Sequence, residues 1–223
     1  MSTFQIIVNT IILGSQLGLL ALGLTMTFSI LRFANFAHGE LALAGAYLAY
    51  LFSVNLKVNI LAASIIGVAL TGLLAVLSDS LIFRKLRDAP VLALLIASLG
   101  LSLALRHIVS AIWGPDPLAY KQSLAKSYSI WGAYITSTQL IILFVAAAAM
   151  VSFHLLLHRT KLGKAMRALS DNRSLAQDRG IHVEGIITWV WFICGCYAGL
   201  GGILIALETA LWRAAAQPHP TDQ

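Results

Sequence analysis

Charged residues are kept out of long stretches of this chain, and that spacing decides what it can fold into. Asp, Glu, Lys and Arg are absent from residues 1–31, 58–78, 89–105, 127–158 and 185–207, and residues 33–56 contain only Glu40. About 20 apolar residues cross the hydrocarbon core of a bilayer as a helix. The runs therefore predict an all-α, polytopic integral membrane protein with about six transmembrane helices. Their approximate limits are Phe4–Leu31, Gly39–Val54, Ile60–Phe83, Pro90–Val109, Thr138–Leu157 and Ile186–Leu207. Composition agrees: 59% of the 223 residues are hydrophobic and 11% charged, whereas soluble domains are about a quarter charged. A soluble enzyme, a secreted disulfide scaffold and a disordered chain are excluded.

The formal charge of +6 comes largely from two blocks, Arg84–Arg87 and Arg159–Arg179. Short loops rich in Lys and Arg stay on the cytoplasmic side, so the blocks are read as topology signals and not as a nucleic-acid surface. Two spans separate them, which places both on the same side. Counting back from them puts the N-terminus outside, and counting forward puts the C-terminus outside. The first run has no basic segment before it and exceeds a signal-peptide core, so it reads as a span. Trp113, Tyr120, Tyr128, Trp131 and Tyr134 suit an interfacial belt around an external loop over 112–134.

A polar interruption, Arg32-Phe33-Ala34-Asn35-Phe36-Ala37-His38-Gly39-Glu40, separates the first two runs. An ionisable residue beside a span is a functional candidate. Asn35, His38, Gly39 and Glu40 suit a broken helix whose polar groups line a translocation path. They equally suit a plain helix start, with Asn35 as cap, Glu40 in the first turn and Gly39 admitting a close neighbour. Gly14, Gly18, Gly195 and Gly199 carry the small-residue spacing of tightly packed membrane helices. Arg106 and His107 read as interface anchors. His154 and His158, four apart, lack a third ligand, and Cys194 and Cys196 point to different sides of one helix. No metal site, bound cofactor or catalytic constellation can be assembled. The stretch 159–184 is too polar to span; it is patterned as a helix that lies on anionic lipid or docks a partner.

Three stretches together resemble the branched-chain amino acid ABC transporter permeases. They are Asn35–Glu40 after Gly23-Leu24-Thr25-Met26, then Leu95–Leu103 followed by Trp113-Gly114-Pro115-Asp116, then Leu162–Ala168 continuing through Asp171-Asn172 to Gly180-Ile181. The resemblance covers residues 5–207 in order. It implies a membrane-spanning subunit of an importer for branched-chain amino acids or related amino acids, amides or urea. The implied partners are a second related permease, two ATPase subunits that hold ATP and magnesium, a periplasmic or lipid-anchored solute-binding protein, and the lipids of a bacterial inner membrane.

On the same resemblance, the cytoplasmic stretch becomes a coupling helix for the ATPases. Its residues are Leu162, Gly163, Met166, Arg167, Leu169, Asp171, Arg173, Ala176 and Gly180. Leu162, Met166 and Leu169 are expected to supply the apolar contact and Arg167 and Arg173 the polar one. Ser174 stands where the motif has Glu, and its Leu-Pro ending is absent. Family members continue for roughly two or more further spans of about 20 residues. Residues 1–211 are therefore expected to form a permease domain incomplete at its C-terminus, through truncation or frameshift, with 212–223 as a flexible tail. The competing readings are a standalone secondary transporter or channel, and a truncated permease without function.

Overall fold

A computed structural model describes residues 3–114, 127–130 and 133–216. Its helices are α1 (Thr3–Leu31), α2 (His38–Tyr50), α3 (Ile60–Leu81), α4 (Val91–Trp113), α5 (Ser137–Arg159), α6 (Lys161–Asp171), α7 (Arg173–Asp178) and α8 (Val183–Ala216). Strands β1 (Ser127–Ile130) and β2 (Ala133–Thr136) form a short antiparallel hairpin before α5. Five helices are long and apolar enough to cross a membrane, corresponding to α1, α3, α4, α5 and α8. The expected second span is shorter: the 13 residues of α2 run into a five-residue π-helical turn, Leu51–Asn55.

Local chemistry sets the helix limits. Asn59 caps α3 by accepting from the Leu61 amide, and Thr136 and Gln139 close a reciprocal capping box at α5. Thr160 and Asn172 cap α6 and α7, accepting from the amides of Gly163 and Leu175. Arg32 and Lys57, just past the first two helical runs, take left-handed backbone conformations with φ of 61° and 54°, the geometry in which helices commonly end. Helix α8 continues to Ala216, so it takes in the first residues of the stretch read as a tail. Residues 217–223 lie outside the described residues, as do 115–126 of the expected external loop and Tyr120 and Trp131 with them.

Helix α8 is the hub. In its most apolar stretch 67% of residues are buried, against 17–28% in the other four spanning helices; α1, α2, α3 and α5 pack around it, and α2 is itself largely buried. The contacts are dense because the facing residues are small. Gly199 lies against Thr71 and Gly45, Gly195 against Ala75 and Gly72, and Gly202 against the backbone of Ala42. A Cβ at position 202 would sit 2.0 Å from the Ala42 carbonyl oxygen, so backbone contact there requires glycine.

The two basic blocks meet at one end of the bundle. Glu184, at the foot of α8, reaches Arg84 and Arg87 from the α3–α4 connection and Arg173 from α7. Phe33, Phe83 and Trp191 stack beside them at centroid spacings of 5.3 and 4.9 Å. At the opposite end the Tyr134 amide of the hairpin donates to Gln5 near the start of α1, at 2.7 Å.

Candidate functional site

The interruption after α1 turns back into the bundle. His38, the first residue of α2, places Nε2 2.9 Å from the carbonyl oxygen of Leu20. Leu20 lies eleven residues before the end of α1, about 16 Å along a helix. Helix α2 therefore begins alongside the middle of α1, and residues 32–37 run non-helically at membrane depth. Backbone of this kind is tolerated where protein encloses it; here two of its amides find side-chain partners, while Asn35 Nδ2 is buried without one. The Phe36 amide donates to Ser98 Oγ on α4 at 3.3 Å, and the Ala37 amide to Asn35 Oδ1 at 3.1 Å. Asn35 thus caps the turn before α2; the N-cap position itself is Ala37, with no side-chain bond.

Burial fixes the roles of the four residues singled out here. Asn35, His38 and Glu40 are buried. A carbonyl can only accept, so His38 Nε2 carries the proton, which leaves Nδ1 to accept from Cys194 Sγ at 3.4 Å. Cys194 also contacts Thr27 Oγ1 and the Gly23 carbonyl, tying the start of α2 to α1 and α8. Gly39 has open space where a Cβ would stand, so the close approach expected there is absent. Gly23 provides it instead: a Cβ would lie 2.8 Å from the His38 ring.

Glu40 faces α4. Its Oε1 accepts from Arg106 Nε at 3.0 Å and from Nη2 at 2.5 Å. The Glu40 side chain is 8% exposed and that of Arg106 64%. Arg106, expected to anchor at an interface, pairs with Glu40 and keeps most of its side chain exposed. Sequence spacing could not join two residues 66 apart, although a lone Glu and a lone Arg in neighbouring apolar runs are a signal for such a pair.

At the basic end, α6 packs its apolar face onto its own bundle. Met166 and Leu169 are buried, Met166 with Phe153 and Val190 and Leu169 with Phe33 and Val183. The expectation that they contact a partner fails for a physical reason: an amphipathic helix beside an exposed apolar surface covers it first. Gly163 lies against the carbonyls of Leu156 and Leu157, and Ala176 is buried on α7. Leu162 is half-buried, while Arg167, Asp171, Arg173 and Gly180 are exposed. Arg167 reaches His158 Nδ1 at 3.1 Å and Arg32 donates to the Ser170 carbonyl at 2.6 Å.

Of the glycines expected at helix contacts, Gly195 and Gly199 lie at the α3–α8 packing described above, and Gly18 meets Met150 Cε at 2.9 Å. Gly14 has nothing within 4 Å of a Cβ and faces outward. The rings of His154 and His158 stand 4.4 Å apart. Among the described residues no group of three His, Cys, Asp or Glu could hold a metal ion. Asp79 and Arg87, 2.7 Å apart and both buried, were missed as a pair; their eight-residue separation spans a helix end.

A bundle with five long apolar helices and a non-helical segment folded back among them defines a multi-pass membrane protein. More narrowly, the chain belongs to the family described as the branched-chain amino acid transport system permease component, whose model matches residues 6–217. It is 27% identical to the high-affinity branched-chain amino acid transport system permease protein LivH of Salmonella typhimurium, covering 88% of this chain and 68% of that protein. It is 32% identical to the probable branched-chain amino acid transport permease protein LivH of Methanocaldococcus jannaschii, over 90% of this chain and 65% of that protein. To the permease protein BraD of Pseudomonas aeruginosa it is 26% identical, over 92% and 71%. No solved structure matches the chain.

Proposed function

We propose that this chain is a membrane-spanning subunit of an ATP-driven importer for branched-chain or related amino acids. In this reading it forms the translocation path with a second related permease and binds no ATP itself. Two ATPase subunits hold ATP and magnesium, and a solute-binding protein delivers the substrate. The basic end, with residues 84–87 and 159–179, faces the cytoplasm of a bacterial cell, and the N-terminus faces outward.

The observation that carries the reading is the α6–α7 segment. It sits between two spans, buries one face against α1, α5 and α8, and turns Lys161, Lys164, Arg167, Asp171 and Arg173 outward. A partner that pushes on such a segment moves the spans to which it is fixed. The contact surface offered to an ATPase is polar, with Leu175 as an exposed apolar residue.

The test is uptake of labelled branched-chain amino acids by cells carrying the chain, with ATP depleted while the proton gradient is held. An ATP-driven importer stops; a standalone carrier continues. Replacing Arg167 and Arg173 together by Glu is expected to lower uptake about tenfold or more by uncoupling hydrolysis from transport. The membrane abundance of the chain should stay unchanged. Normal uptake in that variant would overturn the docking role.

A further inference from the structure

Arg106 lies fifteen residues beyond the start of α4 and seven before its end at Trp113, about 10 Å from that end of the helix. It continues a stripe of Leu92, Ile96, Leu99 and Leu103, each more than half exposed, at the alternating spacing that keeps residues on one helix face. Lipid is a poor neighbour for that face at Arg106, because an arginine within a span faces a protein interior, a water-filled cavity or the membrane surface. The pairing with Glu40 is one-sided. Nε and Nη2 both donate to a single carboxylate oxygen, and most of the guanidinium is left open. Glu40 itself is recessed in the first turn of α2, where the helix dipole favours a carboxylate.

We infer that Arg106 and Glu40 form a binding step for a zwitterionic α-amino acid, Arg106 taking its carboxylate and Glu40 its ammonium. This inference rests on the importer reading above. A zwitterion brings one group of each sign, so it can engage both residues without leaving an unpaired charge at low dielectric. The planar guanidinium suits a carboxylate through two parallel hydrogen bonds. An apolar substrate side chain has Phe36 and Leu103 to lie against. The Phe36 amide donates to Ser98 Oγ of α4 and the residue is 56% exposed, and Leu103 is one turn before Arg106. The ion pair seen here is then the unloaded arrangement, in which each residue neutralises the other.

The experiment uses the source organism with the gene replaced at its own locus. It reads uptake of labelled leucine, isoleucine and valine, with the membrane abundance of the chain measured alongside. Arg106→Gln is expected to cut the maximal uptake rate about tenfold or more at unchanged abundance, and Arg106→Lys to cut it less. The exchange Glu40→Arg with Arg106→Glu restores an ion pair with reversed polarity. It is expected to restore abundance wherever a single variant loses it, and to leave uptake low. Uptake within about twofold of wild type in Arg106→Gln, or recovery of uptake in the exchange, overturns the inference and makes the pair structural. So does a fall in uptake that only tracks a fall in abundance. Deletion of the gene separates the two readings: if uptake of all three amino acids is unchanged, the importer reading itself fails, and the site with it.

Discussion

The Asp79–Arg87 and Glu40–Arg106 ion pairs are built in opposite ways. At the basic end Arg87 and Asp79 are both sealed, with side chains 9% and 5% exposed. Arg87 also reaches Glu184, so one guanidinium joins the α3–α4 connection to the foot of α8. Between α2 and α4 only the acid is sealed; the guanidinium of Arg106 stands open. A charge pair removed from water on both sides can hold a shape but cannot meet a ligand. An open cation above a recessed anion can exchange its partner. The first arrangement suits a rigid frame, the second a surface open to another partner.

The sealed pair gives the largest expected effect. Arg87→Ala leaves Asp79 buried without its cation, and breaking a buried pair costs about 3–5 kcal/mol. Thermal unfolding of the purified protein in detergent should show a drop large enough to reduce recovery from the membrane. Replacing both partners, Asp79→Leu with Arg87→Met, should return most of that loss, because no charge is then stranded. A double variant as unstable as the single one would show that the Glu184 contact, and not the pair, holds the frame.

The open pair should behave differently in the same measurement. Arg106→Gln removes a guanidinium that water already reaches, so the stability change is expected to stay within about 1 kcal/mol. A loss as large as that of Arg87→Ala would erase the distinction between the two pairs. It would mean that Arg106 is enclosed by another surface in the assembled protein.

The spans were legible in the sequence because hydrocarbon admits almost no charge, and a run such as 127–158 leaves the chain no other solvent. The site was legible only in part. Asn35, His38 and Glu40 stood out as polar residues between apolar runs. Their setting did not: that α2 starts beside Leu20 depends on how residues 32–37 fold back, which local pattern does not encode. Partners for Glu40 and Asp79 were hidden for a related reason, since ion pairs between helices or across a helix end are set by packing and not by spacing. Glycines show the same limit. Gly14 and Gly202 look alike in sequence, yet one faces open space and the other rests on the Ala42 backbone. Amphipathic pattern found α6 correctly but could not say which surface its apolar face covers.

The smallest expected effect lies at the rim of the sealed cluster. Arg173 on α7 approaches Glu184 at 3.5 Å, with both side chains partly in water, a geometry worth at most about 0.2–1 kcal/mol and weakened by salt. Arg173→Gln should therefore leave the unfolding temperature nearly unchanged, and the small difference should vanish at high ionic strength. The position is informative because Arg87 holds the same carboxylate from the buried side. If Arg173→Gln destabilises the protein as strongly as Arg87→Ala, the cluster acts as one cooperative unit extending to α7. If it does not, Glu184 is anchored from the α3–α4 connection alone, and α7 is free to shift against the foot of α8.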